Sequence, residues 1–95
     1  MRQYEIMFIV KPDMEEADIK KTADSMKKVL TDKKAKVVEE KAMGQRELAY
    51  EIKKAKTGYY YLYIVEAKSD AIDEFDRVAR INENLLRHIV VKKED

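Results

Sequence analysis

Three tyrosines in the third predicted strand are the side chains best suited by type and spacing to recognise a ligand. Alternate residues of a strand share a face, so Tyr59, Tyr61 and Tyr63 are predicted to form a stripe on one face. Phenol rings on an open sheet can stack on unpaired bases or pack against a protein partner. Tyrosines also cover exposed sheets simply by cross-strand pairing, and the sequence leaves both interpretations open.

A second candidate feature is a local excess of positive charge between residues 41 and 58. Its cations and anions are Lys41, Arg46, Lys53, Lys54 and Lys56 against Glu47 and Glu51. The whole chain has 20 Lys and Arg against 19 Asp and Glu, a net charge of +1. A stand-alone nucleic-acid binder normally has a clear basic excess, so any contact with RNA or DNA must be local.

Catalytic and metal-binding patterns are absent from the sequence. His88 is the only histidine, there is no cysteine, and no acidic or histidine residue stands at metal-ligand spacing from it. The two glycines are too few for a phosphate-binding loop, and no nucleophile motif occurs. We therefore expect no enzyme activity, no metal, no cofactor and no small-molecule substrate.

Length and composition favour one domain spanning residues 1–95, because a second core would need a longer chain. The lack of cysteine fits a reducing, cytoplasmic setting. No apolar run approaches the roughly twenty residues of a membrane span, so neither a membrane anchor nor an export signal is expected.

The strands and helices that would hold these residues follow from hydrophobic periodicity. The first half of the chain is expected to form a strand over 4–10, a helix capped by Asp13 with Glu16 and ending near Asp32, and an exposed, bent strand over 36–54 with a bulge or kink at Gly44. The second half is expected to form a strand over 59–67 after a turn over 53–58, a helix capped by Ser69 or Asp70 and ending between Ile81 and Asn84, and a strand over 85–91. The methionines Met14 and Met26 fit this pattern as core residues.

This order predicts an α+β fold, the ferredoxin-like βαββαβ sandwich. Right-handed crossovers place strands one and three at the centre of a four-stranded antiparallel sheet with both helices on one face. Tyr60, Leu62 and Ile64 are expected beneath the helices, which would leave the tyrosine stripe on the open face.

The most specific motif is the segment from Gly44 to Lys53, Gly-Gln-Arg-Glu-Leu-Ala-Tyr-Glu-Ile-Lys. It resembles the signature of the bacterial small-subunit ribosomal protein six family at all ten positions. Three further segments are similar to that family: Met1–Glu5, Thr57–Tyr60 and Arg87–Lys92. The resemblance therefore covers essentially the whole chain, and it implies the same ferredoxin-like fold.

The resemblance also implies a function. Members of that family bind the central domain of small-subunit ribosomal RNA, in the cytoplasmic ribosome, together with small-subunit ribosomal protein eighteen. By position, the implied RNA-binding residues are Arg2, Arg46, Arg80, Arg87 and Lys92. The implied residues for stacking or partner contact are Tyr4, Tyr50, Tyr59 and Tyr61. Glu47 and Glu51 depart from the family pattern and add negative charge beside the implied RNA face.

Two alternative functions stay open at this point. A stand-alone single-strand RNA-binding module would use the tyrosine stripe, whereas a small-molecule-binding regulatory domain would need a concave pocket with convergent polar groups. Individual arginines also have a structural alternative, because Arg77 and Arg80 can form ion pairs with acidic neighbours on the second helix.

Overall fold

The computed structural model describes residues 2–93 of the chain. Its elements are β1 (Arg2–Val10), α1 (Glu16–Asp32), β2 (Lys36–Ile52), β3 (Ala55–Ala67), α2 (Ser69–Ile81) and β4 (Leu85–Lys93). The strands form one antiparallel sheet in the order β2-β3-β1-β4. The predicted βαββαβ sandwich, with strands one and three at the centre, is confirmed.

The core lies between one face of the sheet and the two helices. On β1 the alternate residues Ile6, Phe8 and Val10 are fully buried. The helices meet them with apolar residues at three- and four-residue spacing, which on a helix form one stripe. These are Ile19, Ala23, Met26 and Leu30 on α1 and Ala71, Phe75 and Ala79 on α2. Amphipathic periodicity therefore determines which side of each helix is buried.

Both helices end where predicted but begin differently. α1 starts at Glu16 with Glu15 as the N-cap residue, and no side chain caps it. The predicted capping box is wrong because a bend after Pro12 leaves Asp13 two residues before the N-cap. α2 starts at Ser69 with Lys68 as N-cap, so neither predicted capping residue occupies the cap position.

The connection between β2 and β3 is tighter than expected. The turn consists of Lys53 and Lys54 alone, while residues 55–58 already belong to β3. Both turn residues have left-handed backbone angles, with φ of 49° and 68°. The predicted bulge at Gly44 is confirmed by φ of 80° and by a register shift after Ala42.

Candidate nucleic-acid and protein interface

The two faces of β3 are opposite to the sequence prediction. Tyr63 is 3% exposed, and its hydroxyl donates a hydrogen bond to the Ala23 carbonyl of α1 at 3.3 Å. Tyr61 stacks on the buried ring of Phe8, with ring centroids 5.3 Å apart. The tyrosine stripe therefore faces the helices, and the predicted stripe on the open face is wrong. Alternation divides a strand into two sets, but it does not say which set is buried.

A groove between α1 and the β2–β3 ribbon leaves the margin of the tyrosine stripe partly accessible. It has a volume of about 650 Å³ and is lined by Tyr59, Tyr61 and Tyr63 together with carboxylates of α1 and β2. Burial raises the pKa of Tyr61, and nearby Asp24 raises it further. Burial followed by the charge of Glu40 raises the pKa of Tyr63 still more. These phenols therefore keep their protons to a higher pH than an ordinary tyrosine does.

The remaining tyrosines of the candidate set lie in very different surroundings. Tyr4 is 8% exposed and belongs to the core cluster, because it precedes Ile6 and Phe8 on the same face of β1. Tyr50 is 60% exposed near the end of β2. Tyr50 is therefore the most exposed tyrosine of the set.

The open face of the sheet, which no helix covers, carries a set of apolar side chains that we call the open-face patch. Strand pairing aligns its members in rows across β3, β1 and β4. They are Met7, Tyr60, Leu62, Ile64, Ile89 and Val91. Ile89 is 39% and Val91 is 52% exposed, whereas the other members are half-buried by their neighbours. Exposed apolar patches of this kind mark interaction surfaces.

Charged residues flank the open-face patch at both ends. At one end, Lys93 and Glu5 form an ion pair of 3.5 Å. At the other end, Arg87 lies in the row that pairs with Ile9, and its guanidinium donates a hydrogen bond to the Tyr50 hydroxyl. Tyr50 and Arg87 are 37 residues apart in the sequence. The β2–β3 hairpin must therefore curl over this end of the sheet.

Arg46 shares the end of the open face at which Arg87 lies. It is exposed on β2, directly opposite Gly58 of β3. Within residues 2–93, its guanidinium forms neither an ion pair nor a hydrogen bond. Gly58 is buried because the side chains of Ile9 and Leu86 lie over its α-carbon. This small apolar cluster separates the two arginines and fixes the strands that carry them.

The other three candidate cations are placed elsewhere. Arg2 and Lys92 pair with Ala67 and Tyr4, so both lie on the helix side of the sheet, at the end remote from Arg87. Arg80 lies on α2, where its guanidinium contacts the Asp76 carboxylate at 2.6 Å. The structure therefore brings Arg46 and Arg87 to one end of the open face and separates them from Arg2, Arg80 and Lys92.

His88 has a structural contact that the sequence did not predict. Its Nε2 lies 2.7 Å from the Asp76 Oδ1, so β4 is joined to α2. The hydrogen bond with His88, and then the charge of Arg80, hold the pKa of Asp76 below its usual value. In the described range 2–93, no group of three or more potential metal ligands comes together.

Comparison with known proteins agrees with this geometry. The family model described as ribosomal protein S6 matches residues 3–92. The chain is also similar to the crystal structure of 30S ribosomal protein S6 from Thermotoga maritima, with 28% sequence identity and a TM-score of 0.92. That match covers 97% of this chain and 87% of the other. No helix within residues 2–93 has the length and apolar character needed to cross a membrane.

Because the family model matches residues 3–92, the chain belongs to the ribosomal protein S6 family, whose members are structural proteins of the small ribosomal subunit and not enzymes.

Proposed function

We propose that this protein binds the central domain of small-subunit ribosomal RNA jointly with small-subunit ribosomal protein eighteen, through the open face of its sheet. The observation that supports this proposal is the position of an uncovered apolar patch beside two arginines, Arg46 and Arg87, on one surface. The patch suits a protein partner, and the arginines suit phosphate. One surface can therefore serve both contacts.

The protein contact rests on the open-face patch. Leu62 and Ile64 lie in the middle of the sheet, and Ile89 and Val91 lie on the neighbouring edge strand. Interfaces commonly have an apolar centre and a polar rim, and here Glu5, Lys93 and Arg87 supply that rim. A partner that covers this patch removes its apolar side chains from water.

The RNA contact rests on Arg46 and Arg87. A guanidinium can bind a phosphate through two parallel donors, which a lysine cannot do. No side chain among residues 2–93 binds the Arg46 guanidinium, whereas Arg87 is held by the Tyr50 hydroxyl and retains its other donors. Because the net charge of the chain is only +1, a basic partner must supply much of the attraction to RNA.

The other candidate residues have secondary roles in this proposal. Arg2 and Lys92 form a separate contact at the far end of the sheet. Arg80 must leave Asp76 before it can bind phosphate, and the exposed ring of Tyr50 is the one best placed to stack on a base. Tyr4 is a core residue and is omitted from the contact set, whereas Tyr59 and Tyr61 contribute through the groove beside α1.

The placement of the tyrosines also bears on the alternative of a stand-alone single-strand RNA binder. That function would need the stripe of Tyr59, Tyr61 and Tyr63 on the open sheet, and these residues face the helices. We therefore expect the isolated chain to bind RNA weakly until the partner is present.

A titration of central-domain RNA with and without ribosomal protein eighteen tests the proposal. We expect Arg46→Ala to weaken joint RNA binding by about 1 kcal/mol, because one charge-assisted contact is lost. Leu62→Glu should instead weaken binding of the partner, because it buries a charge in the apolar patch. Lys28→Ala, an exposed α1 variant, is the control for charge. Equal RNA affinity with and without the partner, or no effect of Arg46→Ala at several salt concentrations, would contradict the proposal.

A further inference from the structure

Four lysines converge at the end of the molecule where the β2–β3 hairpin turns, and we call them the tip lysines. They are Lys11, from the connection between β1 and α1, and Lys53, Lys54 and Lys56, from the hairpin. All four line one depression of about 680 Å³, in which the acidic residues are Asp13 and Glu83. Cations therefore outnumber anions by four to two at this site.

The depression is held in place by contacts between distant segments. The Lys53 ammonium donates a hydrogen bond to the Leu85 carbonyl at 3.2 Å, which ties the hairpin tip to the start of β4. The backbone N–H of Lys11 donates to the Asn84 carbonyl at 2.9 Å. The tip lysines are therefore gathered before any ligand arrives, and little ordering is needed on binding.

The charges of the tip lysines are largely available. Lys54 and Lys56 are exposed, and neither forms an ion pair with another residue in the range 2–93. Lys11 has one long contact of 4.0 Å with Asp13. Lys53 donates one hydrogen bond, to the Leu85 carbonyl, and its ammonium retains two further donors. The site can therefore attract an anion without first breaking a strong ion pair.

The backbone of the turn disfavours the lysines that occupy it. Two-residue hairpin turns with left-handed angles at both positions strongly favour Asn and Gly, because a β-carbon is crowded there. This chain has lysines at both positions, with φ of 49° and 68°. The ammonium groups at the tip are thus present despite the backbone preference.

We propose that the tip lysines form a second contact with the RNA backbone, in which their ammonium groups bind phosphates without reading bases. This proposal rests on the proposed binding of ribosomal RNA and adds a site that the open-face arginines do not include. The depression adjoins them, because Lys53 binds Leu85, two residues before Arg87. Its one large apolar lining residue, Leu86, is 8% exposed, so the site offers charge and little apolar area to a protein.

The sharpest test is Lys54→Gly, measured in the full chain with the partner protein and central-domain RNA. Glycine removes a charge and, at the same time, relieves the left-handed backbone. The substitution should therefore raise stability while it lowers RNA affinity. We expect the melting temperature to rise by a few degrees. We also expect RNA affinity to fall by roughly threefold to tenfold, and the slope of log affinity against log salt to decrease by about one.

Lys34→Gly provides a matched control. Lys34 also has a left-handed backbone, with φ of 64°, but it precedes β2 at the opposite end of that strand from the tip. The Lys34→Gly variant should have a higher melting temperature but the wild-type slope of log affinity against log salt. Lys54→Arg should keep the wild-type slope, because the charge is retained.

The outcomes separate this proposal from the proposed function. If wild-type protein binds the RNA with its partner but Lys54→Gly has the wild-type slope, the tip site is wrong while RNA binding stands. If Lys34→Gly lowers the slope as much as Lys54→Gly does, the effect is one of net charge, and the tip site is again wrong. If the wild-type protein does not bind the RNA at all, the proposed function itself fails.

Discussion

The two faces of the sheet carry similar side chains on β3 but have opposite surroundings. On the helix side, Tyr61 and Tyr63 lie against Phe8 and α1. On the open side, Tyr60 and Leu62 have no helix above them and are half-buried by neighbouring side chains. Hydrophobicity is therefore a poor guide to burial on this strand. The difference shows that a residue of β3 is buried according to its neighbour on β1, because Ile6 and Phe8 pair with Tyr63 and Tyr61.

Because the helices cover only one face of the sheet, we expect side chains on that face to determine stability and side chains on the open face to determine binding of the partner and RNA. The largest effect is expected for Phe8→Ala, because Phe8 is fully buried and contacts Tyr61, Tyr63 and Phe75. Removing a buried phenylalanine ring lowers the free energy of unfolding by about 3–5 kcal/mol. Leu62→Ala on the open side should lower it by less than about 1 kcal/mol. Urea unfolding of both variants measures the difference, and equal losses would show that the open face is also part of the core.

A smaller effect is expected at Gly58, where side chains on the open face pack directly against the backbone of β3. A β-carbon on Gly58 would overlap Cγ2 of Ile9, so Gly58→Ala must displace a packed side chain. Overpacking of this kind lowers the free energy of unfolding by about 1–3 kcal/mol. In the Ile9→Ala background the additional loss should be smaller, because the obstructing methyl group is gone. Thermal unfolding of the single and double variants tests this coupling, and strictly additive losses would contradict it.

The smallest effect of the three concerns Tyr63, whose hydroxyl joins the sheet to α1. Tyr63→Phe removes the hydrogen bond to the Ala23 carbonyl and should lower the free energy of unfolding by about 0.5–1.5 kcal/mol. Tyr60→Phe, on the open face, should have no measurable effect. Far-ultraviolet circular dichroism during denaturant unfolding distinguishes the two variants. An equal loss of unfolding free energy in Tyr60→Phe would show that the hydrogen bond from Tyr63 to Ala23 does not stabilise the fold.

The same residue predicts a pH dependence. Because the pKa of Tyr63 is raised in the folded state, the unfolded chain loses the phenolic proton first as pH increases. Stability contributed by the neutral phenol is fully present below the ordinary tyrosine pKa of about 10 and falls as pH rises above it. Stability of the Tyr63→Phe variant should therefore fall less steeply above that pH. The slope that remains belongs in part to Tyr61, whose pKa is raised as well.

Local sequence patterns predicted the helices and strands well, because the formation of a helix or strand depends mainly on residues that are neighbours in the sequence. The helix spacing from Ile19 to Leu30 and the left-handed Gly44 are visible in any short window of the chain. The helix starts and the hairpin turn were less predictable, since Asp13 looks like a cap and residues 55–58 look like a loop. Pairing with β2 extended β3 to Ala55, which is a tertiary effect on a weakly β-prone segment.

The candidate site was predictable in part for the same reason. Arg46 and Arg87 were found through segments that resemble a family, and their side of the sheet followed only from strand register. The contact between Arg87 and Tyr50 joins residues 37 positions apart, so no local pattern could show it. The positive bias of residues 41–58 was visible, but the addition of Lys11 to it was not, because that lysine arrives from another loop.

By itself, the sequence determined the order of strands and helices, the absence of cysteine chemistry and the family segments, because composition and periodicity are properties of consecutive residues. Only the tertiary structure decided which side of β3 is buried and which cations share a surface. Those outcomes depend on the register between strands, where a shift of one residue moves every side chain to the opposite face.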